Sequence, residues 1–188
     1  MAEPKNYRRH VYATVLTALF AAIIAVCSFV TVPGPVPFTL QTFGVFCALT
    51  MLGGRLGLLA TLLYLALGAA GLPVFAGFTG GLGHLAGPTG GYLLGFVFTA
   101  LVYWLTVRLA GDGLRAKGLG CLIGLVVCYA FGTAWFVLVH GAAGGAVSFS
   151  AALGACVAPF VLPDLVKTAG AVLLSAKLAP VIQKKLRR

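Results

Sequence analysis

Two ionisable residues, Asp164 and Lys167, lie three positions apart in an apolar stretch near the end of the chain. The sequence has only two other acidic residues, Glu3 and Asp112. Residues at i and i+3 share a helix face, so this carboxylate and this ammonium can meet. A carboxylate accepts N–H bonds and an ammonium donates to oxygen, which suits a small polar ligand better than it suits hydrolysis. The alternative is a structural ion pair that satisfies itself.

A glycine-rich stretch runs from Gly68 to Phe96 and reads GAAGLPVFAGFTGGLGHLAGPTGGYLLGF, without a Lys, Arg, Asp or Glu. Such backbone cannot face lipid, because its N–H and C=O groups would go unpaired. It must therefore lie at a membrane surface or line a cavity inside the protein. Glycine allows a positive φ and lets backbone come close to a ligand. The alternative interpretation is a plain outer loop.

Two further polar side chains are candidate ligand contacts. Gln41 lies near the start of an apolar run, where it can bond a neighbouring helix or reach a ligand. His84 lies in the glycine-rich stretch, where it can contact a ligand or remain a solvated loop residue. The sequence contains no HExxH, GxSxG or Walker A motif, and its three histidines lie far apart. We therefore expect neither an enzyme nor a metal site.

The composition identifies an integral membrane protein. The 188 residues are 61% hydrophobic and 9% charged, whereas a soluble domain carries about 25% charged residues. The length suits a single domain over residues 1–188. The net charge of +10 does not indicate nucleic acid, since the basic residues cluster at predicted helix ends, where they set topology and meet anionic headgroups. The five cysteines all fall in apolar runs and are expected to be free, buried thiols.

Apolar segments predict an all-α bundle of six membrane spans, each needing about 20 residues to cross the hydrocarbon. They cover roughly residues 11–32, 38–53, 56–70, 90–108, 119–140 and 163–178. The first is read as a retained span rather than a signal peptide, and the second and third are short. A stiff connector is expected over 33–37, and a helix too short to span over 148–158. Pro163 is predicted to begin the last span, which would place Asp164 in a first turn where the helix dipole favours its charge.

The basic residues predict the topology. If the six spans alternate, 12 of the 13 basic residues fall on one side, and Lys167 is the exception. The positive-inside rule then puts both termini in the cytoplasm. The glycine-rich stretch and the segments 33–37 and 159–163 gather at the outer face, where a ligand would be captured.

Small residues recur every fourth position in the first span. Ala18 and Ala22 form one such pair, and Ala21 and Ala25 form another. Small residues at this spacing make a flat strip on which another helix can pack closely. The alternative is ordinary packing within the bundle.

The glycine-rich stretch resembles the signature of BioY proteins, the biotin-specific S components of energy-coupling factor (ECF) transporters. The segments VPFTLQT after the first span and PFVLPDLVK before the last also resemble family motifs, in the expected order. Together these segments cover the outer half of the predicted bundle.

The resemblance implies a six-helix S component of the plasma membrane that binds biotin in an outward pocket. It implies as partners a transmembrane coupling protein (T component) and two cytoplasmic ATPases, which alone use ATP, so that no cofactor is expected here. Asp164 and Lys167 would contact biotin, with Gln41 and Tyr92 nearby. The other expected contacts are Phe75, Gly80, Gly81, His84 and Gly91, while Ala18 and Ala22 would face the coupling protein. No arginine is available on the outer side for the biotin carboxylate, so Lys167, His84 or backbone N–H groups would have to serve.

Two other functions remain open at the level of the sequence. A self-sufficient carrier is one, although the small size and missing internal repeat disfavour it. A membrane-embedded enzyme is the other, and the lack of a catalytic constellation disfavours that.

Overall fold

The structure is a computed structural model that describes residues 5–32, 38–142, 145 and 147–187. The predicted connector Pro33–Pro37 lies outside the described residues. The helices are α1 (Lys5–Phe29), α2 (Gln41–Leu52), α3 (Gly54–Ala69), α4 (Leu82–Ala86), α5 (Gly90–Ala110), α6 (Leu114–Ala142), α7 (Phe149–Cys156) and α8 (Ala158–Arg187). Two short antiparallel strands, β1 (Thr31–Val32) and β2 (Phe38–Thr39), and a 3-10 turn over Ala76–Phe78 complete the described elements.

Four helical segments are long and apolar enough to cross a membrane. They are Tyr7–Phe29, Gly90–Ala110, Leu114–Ala142 and Ala158–Leu186. The two remaining predicted spans correspond to α2 and α3, which have 12 and 16 residues and rise only about 18 and 24 Å at 1.5 Å per residue. The chain is thus a membrane protein whose described part holds four full-length helices and two shorter apolar ones.

Helix α2 is the centre of the bundle. Ten of its 12 residues are buried, and it packs against α1, α3 and α8. A helix surrounded by protein need not match the thickness of the bilayer, since its ends do not face lipid. Gly53, with φ of 87°, ends α2 and leads directly into α3, because glycine adopts this left-handed conformation without strain.

The last long helix begins earlier than expected. The prediction that Pro163 starts the last span is wrong: the chain breaks at Val157, and α8 runs from Ala158 through Pro163. Pro163 is the sixth residue of α8 and cannot donate to the Pro159 carbonyl, yet the helix continues past it. Asp164 is consequently not in the first turn, where the helix dipole acts. The prediction that the helix dipole stabilises the Asp164 charge is therefore wrong.

The other boundaries follow the predictions closely. Helix α1 starts before residue 11 and ends at Phe29, because the β-branched residues that follow are extended and pair as β1 with β2. Helix α6 starts at Leu114, five residues before the predicted span, and α7 lies within the predicted short helix. All five cysteines are free, as predicted; four are buried as well, whereas Cys27 is half-buried.

The fold separates two chemically different ends. One end gathers the start of α1, the α2–α3 turn and the last residues of α5 and α8, which include Arg9, Arg55 and Arg108. We call it the basic end. The opposite end gathers β2, the start of α2, the glycine-rich stretch, α7 and the start of α8. This second end holds the candidate site.

Candidate functional site

A cavity of about 80 Å³ lies at the end opposite the basic end. Helices α2, α4, α5, α6, α7 and α8 all contribute side chains to its wall. The lining residues are Thr39, Gln41, Thr42, Ala76, His84, Thr89, Tyr92, Leu93, Phe96, Leu125, Cys128, Tyr129, Cys156, Phe160, Asp164 and Lys167. A mostly apolar wall with a few convergent polar groups is typical of a small-molecule site.

Among the described lining residues Asp164 is the only acid, and it is 4% exposed. One carboxylate oxygen accepts from Lys167 Nζ at 2.7 Å, and the other accepts from the Tyr129 hydroxyl at 2.5 Å. Hydrogen bonds to an ionised group are stronger than neutral ones. The buried charge is therefore held by an ion pair and a hydroxyl rather than by the helix dipole. A carboxylate has about four acceptor sites, so capacity for further N–H donors remains.

Lys167 is 7% exposed and has three contacts. Besides Asp164, its ammonium donates to the Thr39 carbonyl oxygen at 2.6 Å and lies 4.0 Å from the centre of the Phe38 ring. An ammonium has three donors, and the recorded hydrogen bonds use two of them. The pair is thus hydrogen-bonded to β2 and to α6. Asp164 keeps free acceptor sites and Lys167 one free donor for a ligand in the cavity that both residues line.

Gln41 occupies the first turn of α2, where it is buried and lines the cavity. Its side-chain nitrogen donates to the Tyr64 hydroxyl at 2.9 Å, which holds the amide against α3. Its carbonyl oxygen has no hydrogen-bond partner among the described residues and is not enclosed. Gln41 therefore combines the two roles that the sequence left open: it contacts a neighbouring helix and lines the cavity.

Tyr92 and His84 both line the cavity, as expected. The Tyr92 hydroxyl lies 3.0 Å from Thr133 Oγ1, so its ring is held against α6. His84 Nδ1 lies 3.2 Å from Thr79 Oγ1, and its ring stacks on Phe75 with centroids 5.3 Å apart. Burial lowers the pKa of His84 below its ordinary value, so the imidazole is neutral at neutral pH.

Phe75 is not in the cavity wall. It is fully buried, edge-on to Tyr64, and a side chain at Gly68 would collide with its ring. The expectation that it packs on a ligand therefore does not match this structure, in which Phe75 anchors the glycine-rich stretch to α3. An aromatic ring in a glycine-rich loop can serve either purpose, and only the folded path of the loop distinguishes them.

The glycines expected at the site also lie outside the cavity wall. A Cβ at Gly80 would lie 2.3 Å from the Leu72 carbonyl oxygen, and one at Gly91 would lie 2.2 Å from Trp135 Cβ. Gly81 has φ of 93° and precedes α4. In this structure these three positions shape the turn and let α5 approach α6, rather than touching the cavity.

Tyr129 is the main site residue that sequence reasoning missed. It lies in the middle of α6, and its hydroxyl reaches Asp164. A tyrosine within a predicted span is itself a signal, because a buried tyrosine hydroxyl usually finds a hydrogen-bond partner. However, the sequence does not show which partner this is, because it does not show that α6 faces this part of α8. Phe160 also lines the cavity, and the sequence does not show this because the segment 159–163, predicted as a break, is helical.

The alanines of α1 divide between two faces. Ala18 and Ala22 are exposed, whereas Ala21 and Ala25 are 2% and 9% exposed and belong to the core. Packing within the bundle thus explains the small residues Ala21 and Ala25, but not Ala18 and Ala22. The first pair remains on a surface that the described part of the chain leaves uncovered.

Comparison with known proteins agrees with this architecture. The family model described as "BioY family" matches residues 3–184. A probable biotin transporter BioY of Pyrococcus horikoshii is 42% identical over 87% of this chain and 93% of its own length. The biotin transporter BioY of Thermotoga maritima is also 42% identical, over 85% and 91%. The biotin transporter BioY of Rhodobacter capsulatus is 44% identical, over 81% and 85%.

One solved structure has the same fold. It is a crystal structure of the S-component for biotin from an ECF-type ABC transporter, with a TM-score of 0.82 and 24% identity, and it covers 94% of each chain. At this identity the likeness concerns the fold. The family is established by the sequence relatives and by the match over nearly the whole chain: this protein belongs to the BioY family.

Proposed function

We propose that this chain binds biotin and delivers it for uptake as the S component of an ECF-type importer. It is a transport component, not an enzyme. The observation that carries the proposal is the buried Asp164–Lys167 pair in the wall of a cavity, at the end of the bundle away from the basic residues. Membership of a family whose relatives are named biotin transporters supports the same assignment.

The chemistry of the pair suits the ureido ring of biotin. This ring offers two N–H donors and one oxygen acceptor. In our proposal Asp164 accepts from the N–H groups with its remaining lone pairs, while Tyr129 and Lys167 hold the carboxylate in place. The third donor of Lys167 is directed to the ureido oxygen or to the biotin carboxylate. The carbonyl oxygen of Gln41 is a further acceptor.

The apolar part of biotin requires an apolar wall. Tyr92, Phe96 and Phe160 line the cavity and offer ring faces to the thiophane ring and its chain. For the biotin carboxylate, Lys167 or backbone N–H groups are better partners than His84, because a neutral imidazole provides no positive charge.

The size of the cavity implies that its wall moves on binding. At about 80 Å³ it is smaller than a usual small-molecule site of about 300–1,000 Å³. We propose that the glycine-rich stretch opens. It is tied down by few long-range hydrogen bonds, among them the Ser28 hydroxyl to the Val74 carbonyl at 2.7 Å and the Trp135 indole to the Gly87 carbonyl at 2.9 Å.

The proposed arrangement in the membrane has six spans in a single domain over residues 1–188, and both termini in the cytoplasm of a plasma-membrane protein. The support is the charge pattern: if the six spans alternate, 12 of the 13 basic residues fall on one side. In this arrangement α2 and α3 are the two short spans, and the cavity faces outward.

Energy for uptake must come from partners, since the sequence has no nucleotide-binding motif. We propose a T component and two cytoplasmic ATPases in that role, with no cofactor bound by this chain itself. The exposed pair Ala18 and Ala22 would let a helix of the T component approach α1 closely.

Mass spectrometry of the small molecules that co-purify with the chain tests the assignment. The proposal predicts biotin at up to one molecule per chain, and a wild-type preparation carrying a different vitamin instead would contradict it. Uptake by cells that lack any coupling protein would favour a self-sufficient carrier over an S component.

A further inference from the structure

A second cavity, of about 710 Å³, opens between α1 and α3 at the basic end. Its wall is mostly apolar, with Ala13, Leu59 and Leu63 among the lining residues. Thr14 and Thr17 also line it, but their hydroxyls donate to backbone carbonyls of α1 at 3.0 and 2.8 Å. They therefore have no hydroxyl donor left to offer. Among the described residues of the wall, the one further polar side chain besides the arginines is His10, next to Arg9, so the part of the groove beyond this end is apolar.

Two arginines stand at the mouth of this groove. Arg9 and Arg55 line it and also line a neighbouring cavity of about 450 Å³, to which Arg108 contributes. None of the three guanidiniums makes an ion pair or hydrogen bond with the described part of the chain. The acid nearby, Asp112, is already paired with Lys117 at 3.3 Å. Among the described residues, the positive charge at the mouth is therefore not compensated.

We propose that this groove binds one anionic phospholipid. Its phosphate is held by Arg9 and Arg55, and one acyl chain lies between α1 and α3. A guanidinium matches two phosphate oxygens in a bidentate geometry. The groove reaches from Arg9 to Ala18 along α1, about 13 Å at 1.5 Å per residue, which is close to the depth of one leaflet of hydrocarbon.

The combination of features selects a lipid over other anions. A free phosphate would use the arginines and leave the apolar groove empty. An acidic protein segment would also pair with the arginines, but its charged side chains would not pack into the apolar groove. An amphiphile uses both, with its charged group at the mouth and its chain against Leu59 and Leu63. The inference does not depend on what the outer cavity binds. Ala18, at the far end of the groove, also belongs to the surface proposed for the T component, so the lipid site is proposed for the chain free of that partner.

Native mass spectrometry tests the proposal with the full chain in mixed micelles of equal phosphatidylglycerol and phosphatidylcholine. We expect one phosphatidylglycerol to be retained in preference to phosphatidylcholine. The double variant Arg9→Gln/Arg55→Gln should lower that preference by about tenfold or more. The matched control is Arg115→Gln, which removes an exposed charge at the same end but outside the groove. It should leave the preference unchanged.

A second variant tests the groove separately from the charge. Ala13→Phe fills the apolar part and should also reduce phosphatidylglycerol retention, although both arginines remain. Thermal unfolding of each variant reports whether it is folded. Equal retention of both lipids by the wild type, or an unchanged preference in Arg9→Gln/Arg55→Gln, would overturn the proposal. Displacement of the lipid by soluble glycerol phosphate, or full retention in Ala13→Phe, would reduce the site to a headgroup anion only and would overturn it as well.

Discussion

At the scale of single residues, the Asp164 carboxylate depends on its neighbours. Burying a charge is unfavourable unless it is paired and hydrogen-bonded. Here Lys167 supplies the opposite charge, and Tyr129 supplies a hydroxyl from a different helix. Because Tyr129 reaches the oxygen that Lys167 does not use, it fixes the orientation of the carboxylate toward the cavity. We therefore regard Tyr129 as a positioning residue of the proposed biotin site.

Replacing Tyr129 by Phe should weaken biotin binding by about tenfold, since a hydrogen bond to a charged group contributes about 1.5–3 kcal/mol. Equilibrium binding of labelled biotin to the purified chain measures this. Tyr103→Phe is the matched control, because the Tyr103 hydroxyl is buried without a hydrogen-bond partner in the described structure. Equal affinity in the two variants would show that Tyr129 does not position the carboxylate.

At the scale of elements, the contact between α5 and α6 positions two of the side chains of the site. Glycines on each helix allow the other to come close, as Gly91 does for Trp135. The Thr99 hydroxyl donates across the same contact to the Gly124 carbonyl at 2.9 Å. Tyr92 and Tyr129 reach the cavity from these two helices, so any separation of α5 from α6 would move both.

Gly91→Ala tests this close packing. The added Cβ would lie 2.2 Å from Trp135 Cβ, and overpacking of this kind costs about 1–3 kcal/mol. We expect a lower unfolding temperature in detergent. Gly118→Ala provides the control, because that glycine lies in α6 with open space around it. It should be neutral or stabilising by up to about 1 kcal/mol, so equal destabilisation by both would contradict the packing argument.

Helix α1 carries the proposed contact with the T component. A tryptophan at Ala18 would disrupt a closely packed helix pair, yet Ala18 is exposed and remote from the outer cavity. Ala18→Trp should therefore abolish co-purification with the T component while biotin binding persists. Val126→Trp, at a 65% exposed position of α6, is the control for a bulky residue on the lipid-facing surface. Intact assembly with Ala18→Trp would mean that this face of α1 is not the docking strip.

These elements also show how far the sequence could predict the structure. The hydrophobic runs and the basic residues were enough to predict the long helices, because membrane spans are set by length and composition. They did not reveal that α8 passes through Pro163, since a proline near a helix start is tolerated or not according to its surroundings. Nor did they reveal Tyr129 or the burial of Phe75, because both depend on which helix faces which. Side-chain partners across helices are a property of the packed bundle.

At the scale of the whole molecule, the two ends differ in charge. The proposed ligand cavity is at one end, and Arg9, Arg55 and Arg108 are at the other. Basic residues are enriched on the cytoplasmic side of membrane proteins. In the proposed orientation the cavity faces the outside, as capture of an external vitamin would require.

Cysteine labelling from outside the cell tests this orientation. Gly83 in α4 and Gly113 in the α5–α6 turn both have open space around them, so each can be replaced by cysteine with little strain. A membrane-impermeant maleimide should modify Gly83→Cys and not Gly113→Cys. The wild type, whose own cysteines are mostly buried, gives the background. Labelling at Gly113→Cys from outside would contradict the proposed topology.

The central claim is that biotin binds at the Asp164–Lys167 pair, and equilibrium biotin binding to the purified single variants and their double variant tests it most directly. Asp164→Asn and Lys167→Ala should each weaken binding by at least about tenfold, since each loses a charge-assisted hydrogen bond and leaves its partner buried and unpaired. The double variant should lose less than the sum of the two, because the residues interact directly at 2.7 Å. Wild-type affinity in both single variants, measured on folded protein, would show that the pair is structural and that biotin binds elsewhere.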